Sequence, residues 1–337
     1  MHAGRMQTPG KQALIDRFDR RIDYVRLSVT DRCDLRCRYC MPQRMRFRPR
    51  DELMTADEIV RLGEILVARG VRRIRLTGGE PLVRREIGEI AERLGALLGR
   101  GLDELTLTTN GTQLERHAEM LHSASVRRLN VSLDTLDPEL FAHITRGGDL
   151  GQVLRGIAAA RAAGLAIKIN MVALAGLNED EIDPMMRWCA GEGHDLTLIE
   201  TMPLGEVEED RTDHYLPLDR VRGRIEERFR LLPLALRTAG PARYFEVAGL
   251  GLRLGFITPL TANFCGGCNR IRVAADGSVY GCLGRAQKVD LRPALAVNDP
   301  AEVNRCLDEL VAGKPLGHDF RIGAKPAVSR HMSVTGG

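Results

Sequence analysis

The stretch Tyr24-Val-Arg-Leu-Ser-Val29-Thr-Asp-Arg-Cys33-Asp-Leu-Arg-Cys37-Arg-Tyr39-Cys40 joins an alternating segment directly to three grouped cysteines. In an extended chain Val25, Leu27 and Val29 share one face, and Arg26 and Ser28 share the other. The alternation returns downstream. Ile74 and Leu76 oppose Arg75 and Thr77; Leu105 and Leu107 oppose Thr106 and Thr108; Leu129, Val131 and Leu133 oppose Asn130, Ser132 and Asp134. Ile167, Ile169 and Met171 oppose Lys168 and Asn170, and a less regular sixth segment ends in Glu200 and Met202.

Six strands are therefore expected over 24–29, 71–77, 104–109, 128–133, 166–172 and 195–201, separated by helical patterns. Thr55 with Glu58, Thr112 with Glu115 and Asn178 with Glu181 fit capping boxes, and Asp137-Pro138 fits a cap followed by a first-turn proline. Repeated strand-helix units build a parallel sheet, yet a fully covered parallel sheet reads as continuous apolar strands. One polar face must be wet or functional. A flat sheet would leave that face to solvent, but the connecting helices would cover it. An α/β fold of the incomplete (β/α)6 TIM-type barrel kind turns the polar face into a lumen that holds Arg26, Arg75 and Lys168. A cationic lumen implies an anionic ligand.

Beyond a Pro/Gly/acidic stretch over 202–217 and a helix over 218–229, short strands are expected over 243–247, 251–257, 270–274 and 278–280, with Asp276-Gly277 as a hairpin turn. A boundary near 235 divides the chain into a partial barrel over 1–235 and a C-terminal α+β extension over 236–337.

At 337 residues, 44% hydrophobic and a net charge of +4, the chain is neither disordered nor a disulfide scaffold, and it is long enough to bury a core without staples. Its eight cysteines need another explanation. The longest apolar stretch, near 162–177, is interrupted by Lys168 and Asn170, and no basic segment precedes an apolar core at the N-terminus. Neither export nor membrane insertion is expected, and the reducing cytoplasm is the expected compartment. The small charge and the lack of basic-aromatic interleaving disfavour nucleic acid as a partner. Lysine is scarce, present only at 11, 168, 288, 314 and 325, so a lysine inside a strand stands out.

Six cysteines form two incomplete ligand sets. Cys33-x3-Cys37-x2-Cys40 follows the first strand, at the end where barrels carry their chemistry. Three thiolates can hold three irons of a [4Fe-4S] cluster and leave the fourth open to a small molecule; a zinc site completed by a distant His or Cys is the alternative. Cys265-x2-Cys268-x13-Cys282 repeats the count around the hairpin, where a zinc ribbon competes equally. Cys189 and Cys306 fall on helical patterns as small hydrophobes.

The first triad, with Tyr39 before its third cysteine, resembles the signature of the radical S-adenosylmethionine superfamily. Thr77-Gly78-Gly79-Glu80-Pro81 is similar to the superfamily's glycine-glycine-glutamate segment, which contacts the amino group of the cofactor. The resemblance narrows to the GTP 3′,8-cyclase family of molybdenum cofactor biosynthesis through Thr108-Thr-Asn-Gly111, Asn130-Val-Ser-Leu-Asp134, Lys168-Ile-Asn170, Ile199-Glu-Thr-Met202, Phe264-Cys265 to Arg272, Tyr280-Gly-Cys-Leu283 and Gly336-Gly337. Radical enzymes that modify peptides share the first triad but lack this arginine arrangement and tail.

The resemblance implies two [4Fe-4S] clusters, on Cys33, Cys37 and Cys40 and on Cys265, Cys268 and Cys282. It assigns Tyr39, Gly79, Ser132 and Met202 to S-adenosylmethionine, and Arg26, Arg75, Thr108, Lys168, Arg270, Ile271 and Arg272 to GTP. It brings Gly336 and Gly337 into the active site as a catalytic tail. A deoxyadenosyl radical would remove the hydrogen at C3′ of GTP, and the carbon radical would attack C8. The resemblance further implies a homodimer, a reductant such as flavodoxin or ferredoxin, and cyclic pyranopterin monophosphate synthase as the next enzyme. From the residues alone Glu200 is open between ligand and scaffold.

Overall fold

The computed structural model describes residues 13–208, 212–236, 238, 240–323 and 325–336. Six parallel strands, β1 (Tyr24–Ser28), β2 (Arg73–Thr77), β3 (Glu104–Thr109), β4 (Arg128–Ser132), β5 (Ala166–Ala173) and β6 (Asp195–Glu200), lie side by side in chain order. Their apolar parity packs under the connecting helices: Val25, Leu27, Ile74, Leu76, Leu107, Leu129 and Ile169 are wholly buried in one core. The helices thus cover one face, and the curled polar face becomes the lumen of a partial TIM-type barrel.

The C-terminal strands extend this sheet at both ends. They are β7 (Leu231–Pro233), β8 (Arg243–Val247), β9 (Leu252–Ile257), β10 (Arg270–Val273), β11 (Ser278–Tyr280) and β12 (Lys288–Asp290). β9 pairs parallel with β6 and leads into an antiparallel β8 and β7; β10 pairs parallel with β1 and leads into an antiparallel β11 and β12. The twelve strands form one sheet in the order β12-β11-β10-β1-β2-β3-β4-β5-β6-β9-β8-β7. β7 and β12 were not expected: three residues are too few to show a period, and neither has a turn signal like the Asp276-Gly277 that marks the equally short β11.

The turn at Asp276-Gly277 forms as expected, with Gly277 at φ +85 in the left-handed region that glycine adopts without strain. Thr55 and Glu58 make a full capping box, and Asp137 accepts from the Leu140 amide. Two expected caps do not form. Thr112 donates to the Asp34 carboxylate at 2.6 Å, and the helix after it starts at Leu114 with no side-chain cap. Asn178 instead ties the Leu174 amide and the carbonyls of Asp134 and Val172, so its side chain serves the ends of β4 and β5. Each polar side chain is drawn to loop groups that buried strand ends leave unpaired.

Candidate functional site

Strand register builds the cationic part of the lumen. Arg26 stands level with Arg75 on one neighbouring strand and with Arg272 on the other, and Tyr24 stands level with Arg270. Lys168 lies opposite Asn130 on the far side of the barrel. These side chains line one cavity, which also receives Cys265, Cys268 and Cys282. Arg26 is 7% exposed and Lys168 5%, so both charges are held out of water.

Burial holds the Arg26 guanidinium down at about 10, with Arg75 and Arg270 adding repulsion and Tyr24 opposing them. Arg272 is depressed further by burial and then by Arg26 and Arg270. Burial also lowers Lys168, which donates to the Tyr244 hydroxyl at 3.0 Å. Burial alone would raise the Tyr24 phenol, but Arg75, Arg26, Arg270 and Lys168 together bring it below its ordinary value. Several polar atoms here are buried with no hydrogen-bond partner among the described residues: Arg26 Nε and Nη2, the Tyr24 hydroxyl, and the Oδ1 atoms of Asn130 and Asn170. Donors and acceptors in that state cost free energy until a ligand meets them. The chemistry fits a large polyanion with hydrogen-bonding edges.

A second cavity is lined by Cys33, Cys37 and Cys40 and shares Asn170, Ile199 and Met202 with the first. The two spaces are therefore contiguous. Gly78 and Gly79 form part of the wall. The Gly79 amide follows the loop carbonyls closely enough that a Cβ there would lie 2.3 Å from the Arg32 oxygen, an immovable backbone atom. Glycine is required because the β2 loop is stitched to the cysteine loop, Gly79 to Thr30 at 2.9 Å and Glu80 to Arg32 at 2.7 Å.

Glu80 is wholly buried and accepts from the Leu82 amide at 3.0 Å, Thr109 Oγ1 at 2.8 Å and the Asn110 amide at 2.6 Å. Burial outweighs these bonds and raises its carboxyl to about 8. Tyr39 donates to Asp134 at 2.7 Å, and burial raises Asp134 to about 6. Thr108, Ser132 and Tyr39 face this cavity, Thr108 Oγ1 being buried without a partner. Thr108 is thus placed with the first triad rather than among the cations.

Burial and neighbouring charges set the state of the thiols. Burial pushes up Cys33, with Glu80 adding to it, and Cys37, with Cys40 and Asp134 adding to it. Such thiols ionise only against a cation, so cluster binding would release their protons. In the second triad burial raises Cys282, whereas at Cys268 the opposing pull of Arg270 and Lys314 prevails and brings the thiol to about 7. Three thiols facing each cavity, a glycine wall beside one set and orphaned polar atoms beside the other fit two clusters with small molecules next to them. Cys189 and Cys306 are buried in the helical layers, at 0% and 8% exposure.

The described part of the C-terminal tail reaches the lumen. Met332 and Ser333 line the first-triad cavity, and Arg272 Nη1 donates to the carbonyls of Thr335 and Gly336. Gly336 sits at φ +73 against Thr77, where a Cβ would lie 2.2 Å from Thr77 Oγ1. Gly337 lies outside the described residues. The Ile271 side chain points into the core at 0% exposure, so only its main chain is available to a ligand. Glu200 lines the first-triad cavity and is wholly buried, and it accepts from the amides of Leu218, Leu260 and Thr261 and from the Thr261 hydroxyl. Sequence reading missed Tyr24, which shares the parity of Arg26 and could have been found by it. It also passed over the Asp134 contact to Tyr39, for which no local signal exists.

Two family models match the chain. One, described as the radical SAM superfamily, matches residues 27–189; the other, described as Molybdenum Cofactor Synthesis C, matches residues 194–320. The chain is 58% identical to a GTP 3′,8-cyclase of Erythrobacter litoralis over 96% of its own length and 98% of the relative's. It is 55% identical to one from Rhizobium etli, over 96% of this chain and 94% of that one. Among solved structures, Streptococcus suis SuiB bound to S-adenosylmethionine superposes with a TM-score of 0.59 at 16% identity, over 93% of this chain and 77% of that one. That likeness concerns the fold alone. No helix among the described residues is long and apolar enough to cross a membrane.

Proposed function

We propose that this chain, which belongs to the GTP 3′,8-cyclase family of radical S-adenosylmethionine enzymes, converts GTP to 3′,8-cyclo-7,8-dihydro-GTP, the first step of molybdenum cofactor biosynthesis. The observation that carries this reading is the placement of two thiol triads on contiguous cavities, with Arg272, Arg26 and Arg75 level across three strands between them. Residues 1–235 form the cofactor side, and residues 236–337 bring the second triad and two of the arginines.

Cys33, Cys37 and Cys40 hold one [4Fe-4S] cluster, and Cys265, Cys268 and Cys282 hold the other. With S-adenosylmethionine held beside it, the first cluster, once reduced by one electron, would supply radical chemistry directed at C3′ of the ribose. Tyr39, Gly79, Ser132 and Met202 frame the cofactor; the missing Cβ of Gly79 lets its loop pack on the Arg32 carbonyl. Arg26, Arg75, Lys168, Arg270 and Arg272 hold the triphosphate, where guanidinium forks match phosphate oxygens. Thr108 and the main chain of Ile271 hold other parts of the nucleotide. The residues fix ribose and base so that C3′ and C8 stay in contact once the hydrogen is gone. Gly336 and Gly337 serve as the catalytic tail; Gly336 packs against Thr77, and there the tail would keep water and stray hydrogen donors from the reacting ribose. The enzyme works in the cytoplasm as a homodimer, takes electrons from a flavodoxin or ferredoxin, and passes its product to cyclic pyranopterin monophosphate synthase.

The test is anaerobic incubation of the cluster-loaded chain with GTP, S-adenosylmethionine and a reductant. A cyclised guanine nucleotide formed alongside 5′-deoxyadenosine is expected. Deoxyadenosine without any cyclised product would exclude GTP as the substrate, and zinc in place of iron would exclude the radical reaction.

A further inference from the structure

Lys314 is one of the five lysines of the chain and is only 2% exposed. It follows the helix Pro300–Ala312 and lines neither of the two cavities. Its Nζ has three acceptors: Cys268 Sγ at 3.6 Å, the Arg270 carbonyl at 3.0 Å and the Gly281 carbonyl. An ammonium has three protons, so this set is filled and no proton remains for a carboxylate. A buried ammonium needs a negative partner, and its own donor set reaches one at the Cys268 sulfur.

The acceptors are spread over both arms of the second triad. Cys268 and Arg270 flank the entry to β10, and Gly281 directly precedes Cys282 after β11. One side chain therefore ties two of the three ligand-bearing segments. The third is held by the residues that follow Lys314. Arg20 donates to the carbonyls of Cys265 at 2.8 Å, Leu316 at 2.8 Å and Pro315 at 2.7 Å. Gly317 packs so closely on Cys265 that a Cβ would lie 3.1 Å from the Cys265 Cβ. Residues 314–317 thus form a strap behind the triad, on the side away from the proposed nucleotide.

We propose that Lys314 is a positioning residue for the second cluster: it fixes the two arms of the triad and places a compensating positive charge beside the Cys268 sulfur, favouring the reduced cluster. The inference rests on the second triad holding a cluster. A positive charge and a hydrogen bond at a ligating sulfur both favour the form with the extra electron, so the potential rises. Outer partners of ligands typically change metal affinity about 10- to 100-fold, and the effect here is local because Lys314 touches nothing in the first triad's loop.

The test is a redox titration of the whole anaerobically loaded chain, followed by electron paramagnetic resonance. Added S-adenosylmethionine marks the signal of the first cluster. In Lys314→Met and Lys314→Gln the second cluster is expected to titrate at more negative potential, with about tenfold less of it reduced at a fixed poise, which corresponds to about 59 mV for one electron. The first cluster should titrate as in the parent. If either variant loses the second cluster, Lys314→Arg should restore it. A variant that keeps the second cluster at the parental potential overturns the proposal. So does loss of the cluster in Met and Arg variants alike, since shape rather than charge would then be required, and so does loss of both clusters together. A parent with iron at the first triad alone sinks the two-cluster reading as well, whereas a two-cluster parent with unshifted variants sinks this proposal only.

Discussion

Replacing Arg26 by Met should make the ligand-free protein more stable and a worse binder of GTP. Arg26 is buried level with Arg75 and Arg272, and two of its nitrogens have no partner. Burial, followed by Arg75 and Arg270, holds it at about 10 against an ordinary 12.5. An arginine remains protonated at neutral pH. The depression is thus a measure of how much the fold disfavours the charge, about 3 kcal/mol at about 1.36 kcal/mol per pK unit. Met matches the stem in length and carries no charge, so Arg26→Met recovers up to about 3 kcal/mol, less whatever its poorer fit in the lumen takes back.

The nucleotide reverses the sign. A charge-assisted bond to phosphate contributes about 1.5–3 kcal/mol, so the same change should weaken GTP about 10- to 100-fold. Calorimetric melting of the anaerobic, cluster-loaded protein with and without GTP reads both terms. The variant alone should melt a few degrees higher than the parent, and its GTP-induced upward shift should shrink. Uncoupled cleavage of S-adenosylmethionine should persist, because the Arg26 side chain faces the other cavity. A variant that is less stable than the parent while binding GTP within twofold of it would refute the reasoning, since Arg26 would then be a structural residue.

Two further outcomes follow from the first-triad side. Gly336→Ala places a Cβ 2.2 Å from Thr77 Oγ1 in a left-handed conformation, which costs about 1–2 kcal/mol before any clash; the tail should leave its seat, and the ratio of cyclised product to 5′-deoxyadenosine should fall several-fold while cofactor cleavage continues. An unchanged ratio would remove the tail from the mechanism. Glu80 is raised by burial to about 8 from an ordinary 4.5, so its contribution to stability is complete below about 4.5 and is lost as the pH rises through about 8. Glu80→Gln should therefore flatten the decline in melting temperature of the cofactor-free protein between about pH 6 and pH 8, and an equally steep decline in the variant would place the titration elsewhere.

The barrel was legible because its signal is set by chain geometry alone. In β1 to β5 the period of two separated Arg26, Arg75 and Lys168 from the core residues beside them, and the structure keeps every one of those faces. What periodicity could not carry is register between distant segments. Arg272 lies level with Arg26 only because β10, some 240 residues away in sequence, joins the sheet beside β1. Nothing local to residues 270–273 states that pairing; the family resemblance supplied the shared ligand, and the register supplied the row of cations. The misplaced caps have the same origin. Thr112 and Asn178 carry the right residue types, but Asp34 and the ends of β4 and β5 compete for them from outside the helix. Glu200 was ambiguous in sequence because a buried carboxylate that accepts from three amides reads the same as one that faces a ligand.

The two triads also sit in opposite fields, and the sign of each field matches the molecule proposed for it. Beside the first triad stand Asp34 and Asp134, whose charges add to burial in raising Cys33 and Cys37, while Glu80, raised to about 8, is neutral at pH 7 and adds only above it. Beside the second stand Arg270 and Lys314, strong enough at Cys268 to overcome burial. S-adenosylmethionine carries a sulfonium and an ammonium against one carboxylate and is a net cation; GTP is a polyanion. An arrangement with the signs exchanged would repel both. On the proposed assignment, the field of each site would favour its own ligand before contact is made. Reversing the charge at a single lumen position, as in Arg75→Glu, leaves four of the five cations in place but puts a carboxylate level with Arg26, so the sorting is distributed over the row rather than vested in one side chain.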